Sequence, residues 1–111
     1  MKSFSKVLAA RDFRWPVALR PYKDGGEHYR DVTRQTLLGE GEGEEALTFV
    51  TRYFEIAPGG FSTLEHHAHP HSVVILRGRG SVQLGDRRFA VAAADCVYVA
   101  PHEVHQFQAA R

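Results

Sequence analysis

Pro58-Gly59-Gly60-Phe61-Ser62-Thr63-Leu64-Glu65-His66-His67-Ala68-His69-Pro70-His71-Ser72-Val73-Val74-Ile75-Leu76-Arg77-Gly78-Arg79-Gly80 is the stretch that decides the reading of this chain. Four of the seven histidines stand here beside a carboxylate, between two glycine turns, and the apolar run Val73 to Leu76 follows at once. Side chains of a β-strand alternate faces with period two. Glu65, His67, His69 and His71 therefore share one parity and His66 takes the other, although Pro70 interrupts the regularity just before His71. On a strand facing a barrel lumen, the first four groups converge and His66 points outward.

Imidazole and carboxylate together suit one divalent transition metal of the borderline group Fe, Mn, Ni, Cu or Zn. His105, near the C-terminus, is the distant candidate to complete such a site. Three nitrogens and one oxygen on an octahedral ion leave two positions for water, dioxygen or substrate, a catalytic rather than a structural design. The competing reading of the cluster is a pH-sensitive polar surface patch. His28 and His102 lie in polar turn contexts and are expected to be exposed.

The surrounding sequence bounds the rest. A chain of 111 residues with 43% hydrophobic and 24% charged residues fits one globular domain able to bury a core without disulfides. A net charge of +1 gives no electrostatic case for nucleic acid or an anionic membrane. Cys96 is the one cysteine, set in the apolar run Cys96-Val97-Tyr98-Val99, and is expected to be buried and inert. Residues 1–10 hold no secretory hydrophobic region and nothing later reaches transmembrane length, so a cytoplasmic location is expected.

Turn signals recur every eight to twelve residues or so without an amphipathic helix, which predicts an all-β sandwich or barrel. Trp15, Val17 and Leu19 alternate like a half-buried edge strand or arm, with Pro16 and Pro21 excluding a helix. Asp24-Gly25-Gly26 reads as a turn and Val32–Leu38 as a strand. Gly39 to Glu45 is acidic and glycine-rich, expected to be a solvated loop. Leu47–Ile56 reads as a strand closed by Pro58-Gly59-Gly60. Further strands are expected at Val73–Leu76, Ser81–Leu84, Arg88–Ala92, Cys96–Val99 and Val104–Gln108. Turns are expected at Gly85-Asp86, Ala93-Ala94-Asp95 and Pro101-His102-Glu103.

With these residues in view, the chain resembles the small single-domain cupins. Their first motif runs Gly, five residues, His, one, His, three or four, Glu, six, Gly. Gly59, Glu65, His67, His71 and Gly78 reproduce that spacing, with Glu65 at the first His position and His71 at the Glu position. The second motif is degenerate: with its His on His105, Ala94, Ala100, His102 and Ala109 occupy the other marked positions. The resemblance covers about residues 58 to 109. It implies an antiparallel double-stranded β-helix, the jelly-roll barrel, as a single domain, with residues 1–45 as arm and edge strands and 46–109 as the barrel. It further implies a metal held by Glu65, His67, His71 and His105 in the barrel mouth. His69 then lies beside the metal as an acid–base group or substrate contact, with ligation in place of Glu65 as the alternative. A homodimer, with the N-terminal strand packed on the partner, also follows from the resemblance.

Cupins host many chemistries, so fold alone does not choose the function. The first expectation is a metal-dependent, dioxygenase-like enzyme acting on a small organic substrate. Glu65 and His69 are its candidate catalytic groups, and Phe49, Tyr53, Phe54, Phe61, Tyr98 and Phe107 could line its lumen. The alternatives are a sugar-acid isomerase or lyase, for which Arg52 is the one strand-interior cation, and a non-catalytic small-molecule binding module.

Overall fold

The computed structural model describes residues 3–24 and 28–111. Gly25 and Gly26 of the expected early turn lie outside the described residues. Among the described residues eight strands occur in chain order: β1 (Arg20–Pro21), β2 (Arg30–Leu38), β3 (Thr51–Phe61), β4 (His71–Val74), β5 (Arg79–Leu84), β6 (Arg87–Ala92), β7 (Cys96–Val99) and β8 (His105–Ala109). Among the described residues no helix is long and apolar enough to cross a membrane. The chain packs as two compact units: Met1–Asp24 with Thr33–Glu55, and Gly25–Val32 with Ile56–Arg111.

The second unit is an all-β, two-sheet structure. In the larger sheet the strand order is β3-β8-β5-β6, and β4 pairs with β7 in the smaller one, all antiparallel. Its apolar centre is Val82, Val97 and Val99, with Val73, Leu84, Val91 and Phe107 packed around them. Inward residues thus come from both sheets, as face-to-face packing of two pleated layers requires. The β5–β6 hairpin turns at Gly85-Asp86, where Gly85 has φ +64°, and Leu84 pairs with Arg87. Gly80 lies so close to β8 that a Cβ there would collide with the Gln108 carbonyl oxygen.

In the first unit β1 pairs antiparallel with β2, Arg20 opposite Arg34 and Pro21 opposite Thr33. The alternation expected of Trp15, Val17 and Leu19 is only partly realised. Trp15 and Val17 are half-buried, Leu19 is exposed, and only Arg20–Pro21 join a ladder. Side-chain contacts hold the arm instead, among them an Arg14–Glu55 ion pair (2.7 Å) and the bonds of one buried amide. Gln35, 2% exposed, donates from Nε2 to the carbonyls of Trp15 (3.0 Å) and Val17 (3.1 Å) and accepts from the Trp15 amide (3.3 Å). Trp15 also packs on Tyr53, ring centroids 4.8 Å apart.

Other expectations need correction. The acidic segment Gly39–Glu45 is not wholly solvated: Glu44 is 7% exposed, accepts from the amides of Gly39 and Gly41, and pairs with Lys6. Those contacts, Lys6 first, hold its carboxyl down at about 2. β3 begins at Thr51 rather than Leu47 and continues through Pro58-Gly59-Gly60 to Phe61. Gly59, at φ +79°, bends the strand without ending it. β4 covers His71–Val74 rather than Val73–Leu76. Cys96 is exposed, because β7 turns Val97 and Val99 inward and leaves Cys96 and Tyr98 on the outer face.

Candidate metal centre

Five side chains meet at one end of the second unit. His105 opens β8 opposite Leu84, and its backbone exchanges two hydrogen bonds with Glu65: the Glu65 amide to the His105 carbonyl (3.1 Å) and the reverse (2.9 Å). That bridge fixes Glu65 beside the buried His105, which is 5% exposed. His71 opens β4 opposite Val99, so the smaller sheet contributes its own ligand candidate. The segment between is clamped where the His102 amide donates to the His67 carbonyl at 2.6 Å. Residues 62–70 form the connection between β3 and β4, joined to β8 by an isolated bridge at Glu65. Thr63, Glu65 and His67 are part-buried while Leu64 and His66 are exposed, so the expected alternation holds to His67 and fails at His69, which is exposed. His28 and His102 are exposed, as expected.

Backbone carbonyls set the histidine tautomers. His67 Nδ1 donates to the His69 carbonyl (2.8 Å) and His105 Nδ1 to the Glu103 carbonyl (2.9 Å). A neutral imidazole that donates from one nitrogen offers a lone pair on the other. Both rings therefore present Nε2 as a donor atom for a cation, the orientation that outer hydrogen bonds impose on metal-binding histidines. His67 Nε2 lies 2.9 Å from His71 Nε2. Two nitrogens each about 2.1 Å from one ion and at right angles around it would be about 3.0 Å apart.

Ring orientation separates the histidines further. His67, His71 and His105 are nearly perpendicular to one another: 88° between His67 and His71, 76° between His67 and His105, 69° between His71 and His105. Three such planes can meet at one point. His69 instead stacks on His67, centroids 3.8 Å apart and planes 5° from parallel. An imidazole lone pair lies in its ring plane, so two stacked parallel rings cannot both aim at one ion.

Two overlapping groups of three have ligand atoms all within 4.8 Å of one another: Glu65, His67 and His105, and His67, His69 and His71. His67 belongs to both. The donor set, with imidazole lone pairs already oriented and one carboxylate, fits a borderline divalent ion. Residues 65, 67, 69, 71 and 105 are thus brought together and His66 is turned away.

The expected aromatic lumen is corrected. Phe49, Phe54 and Tyr98 are exposed, Tyr98 to 64%, and Tyr53 packs on Trp15. Phe61 and Phe107 are half-buried. Arg52 is also exposed. One residue escaped the sequence reading: the Thr63 Oγ1 is buried and makes no hydrogen bond in the described structure, on the face that carries Glu65 and His67. Strand parity was the only signal that could have found it.

Comparison with known proteins identifies the family. The Cupin_2 family model, described as a cupin domain, matches residues 52–111. The chain is a cupin of this type. It is 48% identical over 99 residues to the 1-methylthio-D-xylulose 5-phosphate methylsulfurylase of Rhodospirillum rubrum, an alignment covering 87% of this chain and 61% of that protein. This cupin thus spans about three-fifths of that relative's length. Among solved structures, a cupin 2 conserved barrel protein from Rhodopseudomonas palustris has TM-score 0.80 and 41% identity, covering 96% of this chain and 72% of that one. A cupin-2 domain protein from Rhodospirillum rubrum has TM-score 0.76 and 44% identity, covering 96% and 69%.

Proposed function

We propose that this cupin is a metal-dependent enzyme acting on the methylthio group of a phosphorylated keto-sugar. The oriented Nε2 atoms of His67 and His105 and the 2.9 Å approach of His67 to His71 carry the metal part of the reading. Glu65, His67, His71 and His105 would hold the ion, and His69 stands beside it. The substrate class rests on the 48% identity to the R. rubrum methylsulfurylase. That relationship moves the reading from the expected oxygenase toward sugar chemistry.

A divalent ion here would supply Lewis-acid polarisation of a substrate carbonyl. The chain's own groups do the rest. Glu65 and His69 flank the position and can take a proton from the carbon on the other side of that carbonyl and return it to the sulfur as the C–S bond breaks, so that methanethiol leaves and the electron pair of the C–H bond becomes a carbon–carbon double bond. The Thr63 hydroxyl, buried with no partner on the same face, can donate to a substrate oxygen. Incubating the metal-loaded chain with 1-methylthio-D-xylulose 5-phosphate and following release of the methylthio group tests the reading. Turnover lost on chelation and restored by metal supports it; a loaded protein that leaves the substrate intact overturns it.

A further inference from the structure

The β1–β2 pair carries a group of donors that the metal centre does not use. Arg20 and Arg34 are directly opposite in the antiparallel register. Opposed residues of such a pair project from the same face, with Cβ atoms about 4.5–5.5 Å apart, and like charges placed so are destabilising. Neither guanidinium makes a hydrogen bond or ion pair with a described residue. Arg34 is half-buried, and its Nε is shielded from solvent with no hydrogen-bond partner. Two residues along β2, on the same face by parity, Thr36 is 8% exposed and its Oγ1 is likewise buried without a partner. The opposite face of the strand is occupied, since Gln35 there spends its amide on Trp15 and Val17.

Two cations and a hydroxyl, all donors, are thus gathered on one face with no acceptor supplied by the described chain. A buried donor left unmade is costly, and a partly buried cation without a counter-charge more so. A doubly charged oxyanion removes both costs at once, because guanidinium presents N–H groups in a fork that matches phosphate oxygens. We propose that Arg20, Arg34 and Thr36 form a binding site for a phosphoryl group, either inorganic phosphate or a small phosphate monoester. Arg34 is the main ligand through Nε and its terminal nitrogens, Thr36 donates its hydroxyl, and Arg20 adds charge from the exposed side. The site is independent of the metal centre and of the reaction assigned to it.

Titration calorimetry of the full chain with inorganic phosphate and, separately, with glycerol 3-phosphate tests the proposal. Binding of either that survives His67→Ala and is weakened by Arg34→Gln or Thr36→Val supports the site, and the tighter of the two names its source. Arg34→Gln is expected to weaken binding at least tenfold and Thr36→Val several-fold, with Thr36→Ser restoring it. Metal content stays unchanged in all of them, and a His67→Ala chain still binds phosphate. Thr36→Val nearly preserves shape, so it decides the matter if Arg34→Gln does not fold. Absence of binding by the unaltered chain overturns the proposal, as does binding that Thr36→Val and Arg34→Lys leave unchanged.

Discussion

His67 and His71 face one another through their Nε2 atoms at 2.9 Å, while the other ring nitrogen of His67 is committed to the His69 carbonyl. With its Nδ1 proton so placed, His67 can meet His71 only as an acceptor, either of a proton or beside a shared cation. The 88° between the rings lets both lone pairs point at one ion.

His69 lies next to that point but in a plane parallel to His67. Replacing His69 with Ala is expected to leave metal content intact and to lower kcat by about 10²–10⁴-fold, the usual contribution of a positioned acid–base group. Elemental analysis alongside turnover of the methylthio sugar phosphate checks both parts. Loss of the metal would instead make His69 a ligand.

Glu44 ties stability to pH. Its carboxyl sits at about 2, against an ordinary 4.5, through Lys6 and the amides of Gly39 and Gly41. Stability from a carboxyl lowered by folding is complete above its unfolded value and is lost as pH falls from about 4.5 toward 2. Thermal midpoints followed across that window should fall more steeply for the unaltered chain than for Glu44→Gln. Parallel curves would remove Glu44 from the account.

Gln35 bonds the arm at three points. Gln35→Leu leaves the Trp15 and Val17 carbonyls without that donor, at about 1–3 kcal/mol for a buried group left unmade. Faster proteolytic nicking between residues 10 and 20 and a red-shifted emission from Trp15 are the expected signs.

The glycines that bracket Arg79 differ sharply. Gly80→Ala drives a Cβ into the Gln108 carbonyl and should disrupt the β5–β8 ladder. Gly78 has open space around it but φ +76°, so Gly78→Ala should cost only the left-handed strain, about 1–2 kcal/mol. Chemical denaturation of the two variants gives the comparison.

Period-two reading was enough to set Glu65 and His67 inward and His66 outward, and the motif spacing reached across the chain to His105. The hairpin at Gly85-Asp86 was legible for the same local reason. What escaped depends on long-range partners. Nothing near Glu44 in the sequence announces Lys6, and Gln35 reads as an ordinary polar strand residue until the arm is laid against it. Cys96 shows the limit of composition: its apolar run predicts a buried thiol, yet β7 shows one face to the core and leaves Cys96 on the other. His69 shares the parity of His67, yet it is exposed where His67 is part-buried, and its ring lies parallel to that of His67.

The metal site proposed above has Glu65, His67, His71 and His105 as the ligands of one divalent transition metal. Elemental analysis of the chain purified without added metal, beside His67→Ala and His105→Ala, tests it most directly. The account predicts near-stoichiometric Fe, Mn, Ni, Cu or Zn in the unaltered protein and less than about a tenth of it in either variant, a loss at least as large as outer-shell changes cause. A metal-free protein that takes up none of these ions, or a His67→Ala chain that keeps its full complement, would contradict it.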